Sequence, residues 1–169
     1  MKVDILRPSS LLAASLPKAT LKHKHSPNPS ARRCQMTDEE PWVVVWGVPK
    51  QSLEIPCWLM VKHNTRGWEL PGGTIGEHEP NEIAALRELF EETGLLGVAT
   101  SYDENLFEGG TVVRVEIDEE PQPYGWESDD ESISEVGWCV EIPGELYWGD
   151  DEIQKLLDHD WSASRSLAS

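Results

Sequence analysis

Residues 73–95 read GTIGEHEPNEIAALRELFEETGL, and this stretch carries the reading of the whole chain. Its spacing is regular. Gly73 is followed by five residues and Glu79, and seven more lead to Arg87-Glu88-Leu89. Phe90, Glu91-Glu92, Thr93 and Gly94-Leu95 complete it. Pro71-Gly72-Gly73 just before it is a turn signal, because glycine admits backbone angles closed to other residues. Pro80 suits a first helical turn, where no amide donor is needed. From Asn81 to Thr93 no glycine or proline intervenes and good helix formers dominate, so this segment is predicted helical, with Gly94 as its stop. On that helix Glu88, Glu91 and Glu92 stand at i, i+3 and i+4 and share a face. Ala85, Leu86, Leu89 and Phe90 supply an apolar stripe for packing on a core. Arg87 lies four residues before Glu91 and is placed to hold it.

Three carboxylates on one face repel one another and raise one another's pKa values. A hard divalent cation is a common remedy. Mg²⁺ takes oxygen ligands in an octahedron and often bridges protein carboxylates to substrate phosphates, where it activates water and neutralises developing charge. The bland alternative is a solvated acidic helix face. The full spacing, the glycine turn and the arginine argue for the site.

The pattern G-x5-E-x7-R-E-U-x-E-E-x-G-U, with U aliphatic, resembles the Nudix box, and all nine of its fixed positions are filled here. The preceding WELPGG, residues 68–73, also looks like that family. The resemblance covers about 42–160 and implies an α/β fold, an α/β/α sandwich with a mixed β-sheet. It implies an enzyme that cuts a pyrophosphate bond in a nucleoside diphosphate linked to another group, with Mg²⁺, or Mn²⁺ as substitute. By position, Glu91 and Glu92 resemble metal ligands, and Glu88 a further ligand or the base that deprotonates water. Arg87 would orient a glutamate, the Gly72 carbonyl would complete the metal's shell, and Glu79 resembles a structural glutamate. A base outside the box is expected in the loop before residue 134, where Glu127, Asp129, Asp130 and Glu131 are candidates and Glu131 is the first choice. Trp126, beside Tyr124 and Gly125, is the candidate for stacking on a base, and Arg66 the candidate for contacting substrate. His63 and His78 flank the proposed site, but exposed loop histidines are the default reading.

Outward from the box, Trp42–Val48 (WVVVWGV) reads as a buried strand, and Cys57–Lys62 (CWLMVK) as its antiparallel partner across the turn 49–56. Trp68–Leu70 is a short strand. Leu95–Tyr102 and Leu106–Ile117 are further strands, the second with a glycine pair that suggests a bulge. Residues 118–132 form a loop, Ser134–Val140 a strand, and Asp150–Asp160 an amphipathic helix with Ile153, Leu156, Leu157 and Trp161 inward. Of the eight tryptophans, Trp42, Trp46, Trp58 and Trp138 fall in strands and read as core.

The 169 residues suit one domain, expected over 38–161, with a frayed tail at 162–169. Net charge is −17, unevenly placed. Residues 1–35 hold seven Lys/Arg and one acid, and the other 134 residues hold 7 basic and 30 acidic residues. So acidic a body does not seek nucleic acid by charge, and it repels anionic substrates unless a cation intervenes. It also suits a high-salt environment. Residues 1–37 read as a basic disordered leader, a misplaced start before Met36, or an organelle transit peptide. Three cysteines, Cys34, Cys57 and Cys139, form no ligand pair and point to a reduced compartment. No apolar run of about 18 residues predicts a membrane span. The expected location is the cytoplasm, with an organelle as alternative, and the oligomeric state is open between monomer and homodimer.

Substrate markers are sparse. The patterns of ADP-ribose, dinucleoside polyphosphate, NADH and coenzyme A pyrophosphatases are not matched outside the box. This leaves a lean to oxidised or ordinary nucleoside triphosphates. Two alternatives stay open: a nucleotide-sensing module without turnover, and a hydrolase of non-nucleotide diphosphates.

Overall fold

The computed structural model describes residues 40–167; the expectations for the 1–37 leader and for Cys34 lie outside them. In chain order the elements are β1 (Trp42–Pro49), β2 (Trp58–His63), β3 (Gly67–Glu69), β4 (Gly72–Thr74), α1 (Asn81–Thr93), β5 (Gly97–Phe107), β6 (Gly110–Ile117), β7 (Ile133–Cys139), α2 (Asp150–Leu157) and β8 (Arg165–Ser166). They form a five-stranded sheet in the order β4-β1-β6-β5-β8 and a three-stranded sheet in the order β3-β2-β7. β1 and β6 run parallel, and the other pairings between these strands are antiparallel, so the sheet structure is mixed.

The expected β1–β2 hairpin does not form. β1 pairs with β4 and β6, and β2 pairs with β3 and β7. The reason is visible in the burial of alternate residues. Val43 and Val45 of β1 join Leu59 and Val61 of β2 in one core cluster, while Val44 and Trp46 join Trp58 and Met60 in another. Successive residues of a strand face opposite ways, so both strands are covered on both faces. The connection 50–57 is long enough to carry the chain from one sheet to the other instead of turning back. The strands come close at Gly47, where a Cβ would sit 3.2 Å from Leu59 Cβ.

α1 supplies Ala84, Ala85 and Leu89 to the first cluster, and α2 supplies Ile153 and Leu156 to the second. The two helices therefore cover opposite faces of the strand layer, which is the expected α/β/α arrangement. α1 spans the predicted residues, with Pro80 as its N-cap and Gly94 as a left-handed C-cap at φ 74°. One residue of its predicted stripe is misplaced. Phe90 is exposed, as is Ile83, because the buried face is centred on the line through Ala85, Leu89 and Glu92.

Two other expectations are corrected. The glycine pair is a hairpin turn and not a bulge: Gly109 adopts φ 78° and Phe107 pairs with Gly110 across it. Part of the tail expected to fray is anchored. Arg165–Ser166 pairs with Ser101 and Tyr102 of β5, Leu167 N–H donates to the Thr100 carbonyl, and Ser164 Oγ lies 2.7 Å from His159 Nε2. These contacts offset the chain entropy that otherwise frees a terminus.

Candidate active site

The site is built where β4 and the loop after it lie against α1. The paired glycines are required by close approach. A Cβ on Gly72 would strike the Val43 carbonyl, and one on Gly73 would strike the Glu88 carboxylate. Only bare backbone lets the helix carboxylates reach the strand.

Arg87 is the hub. Its Nε and Nη2 donate to the two Glu79 oxygens at 3.0 and 2.9 Å, a bidentate pair. Nη1 donates to Glu88 at 2.6 Å and to Glu91 at 3.2 Å, and Nη2 also reaches the Thr74 carbonyl at 3.0 Å. One planar guanidinium thus ties the box loop, β4 and two helix glutamates together, which a lysine's point charge does not do. Glu79 also accepts from the Gly76 amide at 2.8 Å. The Arg87 hydrogen bonds, with that amide, hold the Glu79 carboxyl down at about 2.

The three helix glutamates differ in setting. Glu91 is half exposed, whereas Glu88 and Glu92 are 12% and 9% exposed. Burial pushes the Glu88 carboxyl up against the pull of Arg87. Glu92 is raised to about 8, first by burial and then by the neighbouring Glu69, Glu88 and Asp130, against a single 3.1 Å hydrogen bond from the Gly72 amide. Gly72 therefore meets this carboxylate through its N–H. A buried carboxylate short of positive partners is a strong functional signal. Among the described residues, no three His, Cys, Asp or Glu side chains already stand as a ligand cluster. The Glu88 and Glu91 oxygens engage Arg87, and Glu92 engages Gly72.

Other sequence-predicted residues are placed differently. Glu131 is exposed, and the hydrogen bond it makes is through its backbone carbonyl, which accepts from Asn64 Nδ2 at 2.6 Å. Its neighbour Asp130 is half-buried and is the loop acid felt by Glu92. Trp126 is half-buried. Its ring packs on the first core cluster, and its indole N–H donates to the Thr93 carbonyl at 3.0 Å. Arg66 is occupied by Glu69 through hydrogen bonds of 3.0 and 2.6 Å, and its guanidinium lies 5.5 Å from the centre of the Tyr147 ring. His78 is 90% exposed with φ 63°, and the His63 ring bonds Thr65 of its own turn. Trp46 and Trp58 are core, as expected, with Trp42 and Trp138 half-buried.

Sequence reasoning misses Glu69. It is 6% exposed on β3, bidentately paired to Arg66. The R-x-x-E spacing of residues 66–69 carries a signal only once a turn places Arg66 beside the strand.

These residues, at this spacing and in this geometry, are the pattern of the Nudix box. The chain belongs to the Nudix family: the NUDIX domain model matches residues 40–146. A 37-residue stretch is 54% identical to YtkD of Bacillus subtilis (strain 168), provisionally named an 8-oxo-dGTP diphosphatase. That match covers 22% of this chain and 23% of the relative, so this chain spans less than a quarter of the relative's length. Among solved structures, a NUDIX hydrolase from Nitrosomonas europaea is similar at TM-score 0.52 and 19% identity, over 77% of each chain. The Bacillus subtilis pyrophosphohydrolase BsRppH is similar at TM-score 0.50 and 22% identity, over 76% of this chain and 87% of that one. Both likenesses are of fold. No described helix is long and apolar enough to cross a membrane.

Proposed function

We propose that this chain hydrolyses a pyrophosphate bond in a small nucleoside diphosphate derivative, with Mg²⁺ as cofactor and Mn²⁺ as substitute. The observation that carries the reading is the placement of Glu92, a buried helix carboxylate that meets the Gly72 amide at 3.1 Å where the Glu88 carboxylate also packs against the paired glycines. The donor set fits a hard dication. It offers carboxylate and carbonyl oxygen, and its excess of negative charge is what a dication relieves. Glu88, Glu91, Glu92 and the Gly72 carbonyl are the groups that would hold it. When bound, such a cation supplies charge neutralisation at the phosphoryl oxygens and an activated water. Arg87 aligns Glu88 and Glu91, and Glu79 locks Arg87 in turn. For the base outside the helix, Asp130 replaces Glu131 in our reading, because Asp130 is the loop acid felt by Glu92. Arg66 and Trp126 contribute by supporting the site, since Glu69 and the Thr93 carbonyl occupy their polar groups. The stretch shared with YtkD supports a lean to oxidised nucleoside triphosphates.

The test is phosphate release from dNTPs, 8-oxo-dGTP, ADP-ribose, NADH, diadenosine polyphosphates and nucleotide sugars, with Mg²⁺ and with Mn²⁺. We expect cation-dependent turnover of one class, falling roughly 10³-fold in Glu91→Gln/Glu92→Gln. Nucleotide binding with no turnover across the panel would replace this reading with a sensor.

A further inference from the structure

The loop before β7 is strapped across the end of the acidic helix. The last four carbonyls of any helix lack partners within it. Two of them in α1 are taken by side chains from this loop. Ser128 Oγ–H donates to the Glu92 carbonyl at 2.5 Å, and Trp126 Nε1–H donates to the Thr93 carbonyl at 3.0 Å. The Ser128 oxygen also accepts from the Asp130 amide at 3.0 Å. One hydroxyl therefore joins the backbones of two acids that share a site, Glu92 on the helix and Asp130 on the loop.

The strap is anchored beyond the helix. Trp126 exchanges backbone hydrogen bonds with Val136 of β7 at 2.9 and 2.8 Å. At the other end, Asn64 Nδ2 donates to the Glu131 carbonyl and Asn64 N–H to the Ser132 carbonyl, tying the loop to the β2–β3 turn. Asp130 Oδ1 itself accepts from the Ser132 amide at 2.7 Å, which fixes its side chain. Terminal helical turns ordinarily fray, and here the turn that frays is the one bearing Glu92.

We propose that Ser128 is a positioning residue that sets the geometry of Glu92 against Asp130 and thereby the affinity of the site for a divalent cation. The inference rests on the cation-dependent reading above. It extends that reading to a residue outside the helix that touches neither cation nor substrate.

The test is Mn²⁺ binding to the full, metal-stripped chain, read from the electron paramagnetic resonance signal of free Mn²⁺. Ser128→Ala is expected to weaken binding about tenfold, in line with other groups that orient metal ligands. Ser128→Thr, which keeps the hydroxyl, is expected to restore it. At saturating Mn²⁺ the KM of Ser128→Ala stays at the wild-type value, because the substrate contacts are intact. Trp126→Phe, which keeps an aromatic ring and removes the N–H, is the second probe and weakens binding in the same direction. Circular dichroism confirms that each variant is folded. Wild-type affinity in folded Ser128→Ala and Trp126→Phe would overturn the inference and leave the cation site standing. A wild-type chain that binds no Mn²⁺ overturns both, so the two failures are distinct.

Discussion

The two faces of the strand layer are built from different materials. Beneath α1 the fully buried residues are aliphatic, among them Val43, Val45, Ala84, Ala85, Leu89, Val113 and Val115, and aromatic rings (Tyr102, Trp126, Trp138) only pack at its edge, partly buried. Beneath α2 it is bulky and aromatic, with Trp46, Trp58 and Phe107 buried and Trp42, Trp68, Trp148 and Trp161 packed around them. Trp46 and Trp58 stack with centroids 5.8 Å apart, and Trp148 meets Phe107 edge-on at 5.2 Å. Small residues let α1 approach the strands closely enough for its glutamates to reach Gly72 and Gly73. Large indoles pack with Ile153 and Leu156 of α2, an eight-residue helix that carries no predicted chemistry. One face is built for precise placement of charge and the other for bulk burial.

The contrast breaks most visibly under core substitutions. Leu156→Ala, at a fully buried position of α2, is expected to cost about 3 kcal/mol in urea unfolding. Turnover per folded molecule should stay near wild type. Ala85→Leu forces extra methyl groups under α1, costs about 2 kcal/mol and should also depress turnover, because it displaces the glutamates. Equal loss of activity from both substitutions would erase the distinction between the faces.

Glu92 sharpens the comparison through pH. Its folded carboxyl titrates near 8 against an ordinary 4.5. Between those values the unfolded chain has released a proton that the folded chain retains. Stability of the metal-free protein therefore falls as pH rises through that window. Glu92→Gln removes this penalty. In EDTA the variant should match wild type near pH 4.5 and exceed it by a few kcal/mol near pH 8. A constant difference across the range would contradict the assignment. Glu79 acts in the opposite sense. Its lowered carboxyl contributes stability above its ordinary value, lost as pH falls toward about 2.

The smallest effect concerns Gly94. It sits at φ 74°, and a Cβ added there would meet nothing within 4 Å, so Gly94→Ala isolates the backbone contribution. Thermal unfolding should show a loss of about 1 kcal/mol. A neutral result would mean that the left-handed cap is not what ends α1.

Much of this is legible in the sequence. Local signals place α1 to the residue, because proline, an unbroken run of helix formers and glycine act within a few positions of themselves. The Arg87–Glu91 contact is legible for the same reason, being one turn apart. Strand pairing is not. β1 and β2 look like a hairpin because both are short apolar runs, and nothing local says that each finds its partners elsewhere. Phe90 reads as inward when apolarity alone is counted, and the buried Glu92 shifts the centre of the face away from it.

Within the site the division is similar. The order of residues determined which carboxylates share a helix face, that a glycine turn precedes them and that an arginine lies among them. These follow from helical repeat and backbone freedom. Only the folded chain decided that Glu92 is the deeply buried member and that Glu69 and Asp130 join it. The same holds for Arg66 and Trp126, which are taken up by Glu69 and by a helix carbonyl. Burial, and the pairing of groups from 33 to 36 residues apart such as Trp126 with Thr93 and Ser128 with Glu92, come from packing of the whole chain, which no local window contains.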